Sequence, residues 1–395
     1  MLSEFMLDPG YLNLNHGSFG STPRPVISAQ QSYVEQCEAR PDIWYRKEYK
    51  TLLAEAREAT AKLVGADPDN LVLLENASAA VNGIFRSLSL EPGDIFIYFS
   101  TAYAMVKHTA GFLSLDRGIK IIEVPITLPI GTAEESFVAP MRDALAALSD
   151  DEKARVRMVT LSHISSVPAF EEPVKELADV IKASNPETLV LVDGAHALGQ
   201  IPIDIGSLGD IDYYLSNAHK WLFTPKAAAF LWTRSDRIEE YRPQPTVISS
   251  ENNVLAGIEY TARYAYTGTK DFTSYIAVKD AISYRKTLGG EEAIMEYTTG
   301  LARQAGDLLV AKWGTARLSD SSFEANLFNV ILPTDDFALA QAMQEALLET
   351  DGIYMLALQD AASGIVYTRL SSQVYLELGD FDAVGDKVLA FLNKS

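Results

Sequence analysis

Hydrophobic and polar positions along the chain fall into two regimes. From about residue 70 onward, short apolar runs recur: Leu71-Val72-Leu73-Leu74, Ile95-Phe96-Ile97-Tyr98, Ile121-Ile122-Glu123-Val124, Met158-Val159-Thr160-Leu161 and Leu189-Val190-Leu191-Val192. Their length and composition predict strands that are largely buried. Helical stretches such as 171–184 separate them, and this alternation predicts an α/β domain with a mainly parallel sheet and helices on both faces. Ahead of it, residues 27–64 predict a helix, rich in good helix formers over Leu53–Ala59. Beyond about residue 250 the pattern changes. Residues 251–268 predict an irregular connection and 273–313 a long helix. Then Phe328–Leu332, 336–349, Val366–Leu370 and 380–393 alternate strand and helix, as in a smaller α+β domain. The expected division is an N-terminal loop segment at 1–20, a large domain at 21–255 and a small C-terminal domain at 256–395.

Composition narrows the classes of function. A chain of 395 residues suits two or three domain-sized units. No apolar run approaches the roughly 18 residues of a membrane span, so no membrane partner is expected. Met1-Leu2-Ser3-Glu4-Phe5 lacks the basic-then-apolar signature of a secretory signal, and a cytoplasmic setting is expected. A net charge of −20 repels phosphate backbones, so nucleic acid is not an expected partner. The single cysteine, Cys37, excludes an internal disulfide and a multi-cysteine metal site, and no metal is expected.

Open α/β sheets bind ligands at the carboxyl ends of their strands, so the residues after each run carry the argument. Asp193-Gly194-Ala195-His196 follows the run 189–192. An aspartate there serves as a turn or helix-cap residue, or as the partner of a buried group. Tyr213-Tyr214-Leu215-Ser216-Asn217-Ala218-His219-Lys220-Trp221 ends a second run in a lysine. A lysine desolvated at that point becomes a Schiff-base nucleophile; a lone one more often snorkels to the surface. Glu75-Asn76-Ala77-Ser78-Ala79-Ala80 opens a helix with small residues, which exposes backbone N–H groups to an anion. A lysine amine, an acid, a phosphate cradle and an aromatic stack are the four things pyridoxal phosphate (PLP) requires, and all four occur in a workable order.

Asp193–His196 followed by Ser216–Leu222 resembles the class V aminotransferase family of fold-type I PLP enzymes. Leu14-Asn15-His16-Gly17-Ser18-Phe19-Gly20, Tyr266-Thr267-Gly268-Thr269-Lys270-Asp271 and Tyr367-Thr368-Arg369-Leu370-Ser371 extend the resemblance over nearly the whole chain. Within the family it is most similar to the isopenicillin-N-epimerase-like branch, which includes ergothioneine-pathway C–S lyases and loline-type enzymes. Ala39-Arg40-Pro41-Asp42 and Tyr98–Tyr103 resemble those lyases in particular.

The resemblance implies a large domain with a seven-stranded, mainly parallel sheet and a smaller α+β C-terminal domain. It implies that Lys220 carries PLP and moves the Cα proton, that Asp193 pairs with the ring nitrogen, and that His196 supports Asp193 or packs near the ring. Tyr103 stacks on the ring and is a candidate proton donor. Ala77, Ser78, Ser216 and His219 hold the phosphate, Ser166 lies near the ring hydroxyl, and Thr269 reaches a neighbouring subunit's phosphate, which implies a homodimer with shared active sites. Arg369 binds the substrate carboxylate as a planar fork. Asn15, His16 and Gly17 close over the substrate, and Arg46 reaches an anionic or sulfoxide side chain. Two departures stand out. Tyr375-Leu376-Glu377 replaces a family Tyr-Asn-Thr, and Cys37 is far in sequence from the loop that carries a desulfurase persulfide. The expected activity is a C–S β-lyase on a cysteine-derived amino acid; the alternatives are epimerisation, transamination, or a decarboxylating or cyclising reaction.

Overall fold

A computed structural model describes residues 1–393; the last two residues of the expected C-terminal domain lie outside it. Twelve strands are described: β1 (Leu12–Asn13), β2 (Leu71–Leu74), β3 (Ile95–Phe99), β4 (Lys120–Val124), β5 (Val156–Ser162), β6 (Leu189–Asp193), β7 (Tyr213–Asn217), β8 (Ala229–Thr233), β9 (Leu327–Ile331), β10 (Ile353–Tyr354), β11 (Leu356–Gln359) and β12 (Val366–Ser371).

Seven of these form one sheet in the order β2-β8-β7-β6-β5-β3-β4. Every pair is parallel except the two made by β8. Strands β2, β3, β6 and β7 are buried along their whole length, the consequence of helices on both faces. Edge strand β4 instead exposes Lys120 and Glu123, charges that discourage pairing with another chain. The run Ala229–Thr233 was not among the expected strands. Its chain reversal depends on Phe223 and Ala227, both at positive φ, a conformation non-glycine side chains rarely advertise.

Two expected helices are broken. Pro41 interrupts 27–64: helix Arg24–Ala39 ends at Arg40, at φ −148°, and the chain resumes through a π-turn at Trp44–Glu48 into Tyr49–Leu63. Gly289 and Gly290, both at positive φ, split the long helix into pieces that end at Thr287 and restart as Gly290–Trp313. The connection at 251–268 contains a helix, Tyr260–Ala265, whose Tyr260 and Tyr264 join the apolar packing of the large sheet.

Strands β11-β12-β9 form a small antiparallel sheet. Helices Gly290–Trp313, Phe337–Asp351 and Leu378–Leu392 pack on it around Phe328, Leu370, Met343, Leu309 and Phe381. The N-terminus joins this unit. β1 pairs in parallel with β10, Leu14 O accepts from Ser371 N–H at 2.8 Å, and Phe5 and Leu14 enter the same apolar cluster. The loop after β1 is thereby laid between the two sheets.

Candidate active site

Five parallel strands of the large sheet deliver their carboxyl ends to one edge, and a cavity of about 190 Å³ opens there. Its lining includes Ala77, Ser78, Tyr103, Ser166, Asp193, His196, His219 and Lys220. The structure thus brings together eight residues picked out from the sequence.

Lys220 sits in the short helix Ala218–Trp221, immediately after β7. Its backbone is clamped from three directions. His16 Nε2 lies 2.7 Å from Lys220 O. Arg285 Nη1 donates to Trp221 O at 2.8 Å. Gly20, at φ +68°, passes so close that any Cβ there would strike His219 O. Burial pulls the Lys220 amine down to about 8, with the Asp193 carboxylate opposing and Arg369 adding to the fall. Nζ lies 2.9 Å from His196 Nε2. Trp221 Nε1 only donates, and its nearest acceptor is His196 Nδ1 at 3.5 Å. Burial keeps His196 neutral.

Asp193 is the last residue of β6 and 6% exposed. Ala195 N–H donates to its Oδ1 at 3.0 Å, while burial raises its pKa. At the start of helix Ala77–Ser87, Ala77 N–H donates to Asn217 Oδ1 and Ala79 N–H to the cap Asn76 Oδ1, both at 2.9 Å. Ser78 lies between them on the cavity wall. His219 Nδ1 is 2.9 Å from Ala228 O, an acceptor, so this ring nitrogen carries the proton; burial holds the ring neutral, down to about 4.

Arg369 is 2% exposed, on β12. Nη1 donates to Ser166 O at 2.9 Å and Nη2 to Asn15 Oδ1 at 2.6 Å and Ser18 Oγ at 2.8 Å. No carboxylate pairs with it among the described residues, and its Nε has no partner. A buried cation without an acid is costly, and is the arrangement expected of an anion site.

Other expected residues take different places. His16 is fully buried with both ring nitrogens engaged: Nε2 on Lys220 O and Nδ1 on the Tyr375 hydroxyl at 3.0 Å. It fixes the lysine segment instead of presenting a free edge to a ligand. Gly17 is a close approach, where a Cβ would lie 2.7 Å from Trp221 and 2.9 Å from Leu327. Ser216 faces inward, with its hydroxyl on Gly194 O and Leu198 N–H, so it braces the turn after Asp193. Thr269 and Arg46 lie together on a second cleft with Asp42, Tyr45 and Glu251. There Thr269 Oγ1 is 2.8 Å from the Tyr266 hydroxyl, and Arg46 pairs with exposed Asp42 at 3.2 Å.

Several lining residues were not picked out: Asn76, Asn217, Ser18, Phe19, Met105 and Ser162. Asn76 carried a signal, since an Asn before a helix of small residues reads as a cap. Asn217 had none beyond its place before Lys220.

Residues 15–359 match the model of the family described as Aminotransferase class-V. The chain is 29% identical over 411 residues to putative L-cysteine desulfhydrase 2 of Oryza sativa subsp. japonica, covering 96% of this chain and 84% of that protein. It is 26% identical to the hercynylcysteine sulfoxide lyase of Schizosaccharomyces pombe, covering 96% and 94%. It is 29% identical to the isopenicillin N epimerase of Streptomyces clavuligerus, covering 81% and 80%. Among solved structures, the complex of the cystine C–S lyase C-DES with its product cysteine persulfide superposes with a TM-score of 0.78 at 19% identity, covering 97% and 98%, a likeness of fold.

Proposed function

Because the chain belongs to the class V aminotransferase family, we propose that it is a PLP-dependent C–S β-lyase acting on a cysteine-derived amino acid. The observation that carries this reading is the buried Lys220 amine, lowered to about 8 and sharing one cavity with Asp193. The donor set suits the cofactor. Lys220 would meet its aldehyde, Asp193 its ring nitrogen, Ser78 and the helix start its phosphate, and Tyr103 its face. His219 joins the phosphate contacts once protonated, which a dianion beside it favours.

Bound PLP supplies an electron sink for the pair left at Cα. Arg369 orients the substrate through its α-carboxylate, exchanging the neutral Ser166 and Asn15 oxygens for a charged acceptor. Lys220 Nζ takes the Cα proton. His196 Nε2, 2.9 Å from Nζ, holds the amine in place until then. Tyr103, which lines the cavity and is 52% exposed, gives a proton to the departing sulfur in this reading. The C–S bond breaks with its electron pair on sulfur, and water completes release of pyruvate and ammonia. The relatives named as a cysteine desulfhydrase and a sulfoxide lyase support elimination.

Epimerisation, transamination and decarboxylating or cyclising reactions share the first proton transfer, and the likeness to isopenicillin N epimerase favours the first of these as the second reading. Incubating the holoprotein with L-cysteine, S-substituted cysteines and their S-oxides should release pyruvate and ammonia. Release of neither from any of them sinks the lyase; deuterium uptake at Cα with the side chain kept selects the second reading.

The same reading includes a homodimer with shared sites, a cytoplasmic setting and a domain division near residue 255. The dimer is supported by Thr269 and Arg46 lying on a cleft away from Lys220 of the same chain. Mixing inactive Lys220→Ala and Thr269→Ala chains should restore activity if the sites are shared, and should not if each chain works alone.

A further inference from the structure

Glu172 is a buried carboxyl with no part in the chemistry above. It lies in the loop after β5, 3% exposed. Ser162 N–H donates to its Oε2 at 2.9 Å. Its Oε1 is buried and without a hydrogen-bond partner. Among the described residues no basic side chain pairs with it; burial and the Asp193 carboxylate from β6 disfavour its charge, and hydrogen bonding from the Ser162 amide and the Thr101 side chain, in the loop after β3, opposes them. Thr101 Oγ1 is itself buried and unpartnered. The backbone joins these pieces: Glu172 N–H donates to His163 O at 3.1 Å, and His163 N–H to Asp193 O at 2.9 Å. His163 adds no charge, because burial holds it down to about 4, with Nδ1 2.8 Å from the Tyr214 hydroxyl. Glu171 is the other acid of this loop, and burial raises its pKa too.

A carboxyl buried with one amide donor, beside another carboxylate, suits an anion badly. The acid form keeps the Ser162 amide on Oε2 and puts on Oε1 a proton that the Thr101 hydroxyl can accept. We propose that Glu172 works as a carboxylic acid and is a positioning residue: its O–H ties the Ser162 end of β5, paired in register with Asp193, to the Thr101–Tyr103 loop at the cavity mouth. Burial, with the Asp193 charge adding to it, pushes Glu172 up to about 8, so the acid form persists through neutral pH. The effect on turnover rests on the PLP reading; the protonation does not.

The test begins with cofactor-free protein. The infrared difference between wild type and Glu172→Gln at pH 7 should contain the C=O band of a protonated carboxyl, and this band should fade as pH passes about 8. Its absence at pH 7 overturns the proposal. A raised folded-state pKa means the folded chain holds the extra proton between the ordinary glutamate range and about 8, so wild-type stability falls across that window relative to Gln. The Tm of Glu172→Gln should therefore gain on wild type from pH 5 to 8, and parallel curves overturn the proposal.

In the holoenzyme, Gln offers the same acceptor to Ser162 and a donor to Thr101, so it should keep kcat within about threefold. Glu172→Ala should lose roughly tenfold in kcat at little-changed KM, the scale of one buried hydrogen bond. Adding Thr101→Val to it should cost nothing more. A Gln variant as poor as Ala defeats the positioning role. A wild type inactive on every cysteine substrate defeats the lyase reading and leaves the infrared and Tm outcomes to be judged on their own.

Discussion

The two ends of strand β7 hold buried charge in opposite ways. At its amino end, Asp212 is fully buried and saturated. Lys182 Nζ contacts one oxygen at 2.8 Å, Arg237 Nε the other at 2.7 Å, and Arg234 Nη2 adds a third contact at 2.8 Å. Val190 N–H also donates to this carboxylate, at 2.8 Å. Just beyond the carboxyl end, Lys220 has a depressed pKa, and among the described residues Arg369 has no acid and Glu172 no base. One end closes its electrostatics within the chain; the other leaves them open to a ligand. In a parallel α/β sheet this is how stability and function divide along the strand direction.

Lys220→Ala should be the most damaging change to activity and among the mildest to stability. Turnover should vanish, and the absorbance of lysine-bound PLP with it, while the Tm of the cofactor-free protein holds or rises because a desolvated amine has been removed. Normal turnover in this variant would end the proposed mechanism. Asp212→Ala is its mirror image. It strands Lys182 and Arg237 in the interior, at a cost of about 3–5 kcal/mol in denaturant unfolding. At temperatures where the variant stays folded, kcat should be that of wild type. An activity loss without a stability loss would erase the contrast between the two ends.

That contrast was half legible in the sequence. Lys220 and Asp193 could be found because both follow apolar runs that only a buried strand explains, and because motifs place them in a fixed order. The Asp212 cluster was not found: its partners come from positions 182, 234 and 237, and a lone acid before a strand has no partner until the sheet is folded. Glu172 was invisible for the same reason, since Glu171 and Glu172 stand at the start of the stretch 171–184 that reads as helix, where acids are ordinary. Thr269 and Arg46 share a cleft that Lys220 does not line. Motif order put them on the list with Lys220, but spacing along a chain does not say which cavity, or which subunit's cavity, a side chain enters. The broken helices at Arg40 and Gly289 were marked by Pro41 and a Gly-Gly pair, and a local rule was overridden by a long helical pattern.

Arg369→Lys tests the open end at smaller cost. An ammonium keeps the charge but loses the fork, so binding of the α-carboxylate should weaken by about 1.5–3 kcal/mol, read as a rise in KM of roughly 10- to 150-fold. Stability should change little, because Arg369 makes only neutral hydrogen bonds in the cofactor-free chain. If KM is unmoved, the carboxylate binds elsewhere.

The smallest effect is the most specific. Only the neutral lysine attacks an aldehyde. With the Lys220 amine at about 8, the rate at which cofactor-free protein captures PLP should climb about tenfold per pH unit below that value and level off above it. An exposed lysine would go on climbing toward its ordinary value near 10.4. The midpoint therefore reports desolvation directly, without any substrate. Asp193 provides the internal control, because its carboxylate opposes the fall in the lysine's pKa. In Asp193→Asn the plateau should begin at lower pH, since removing the negative charge leaves burial and Arg369 to act unopposed. A shift to higher pH would mean that the two side chains do not share one field, and that the open end of β7 is assembled differently from the way its cavity implies.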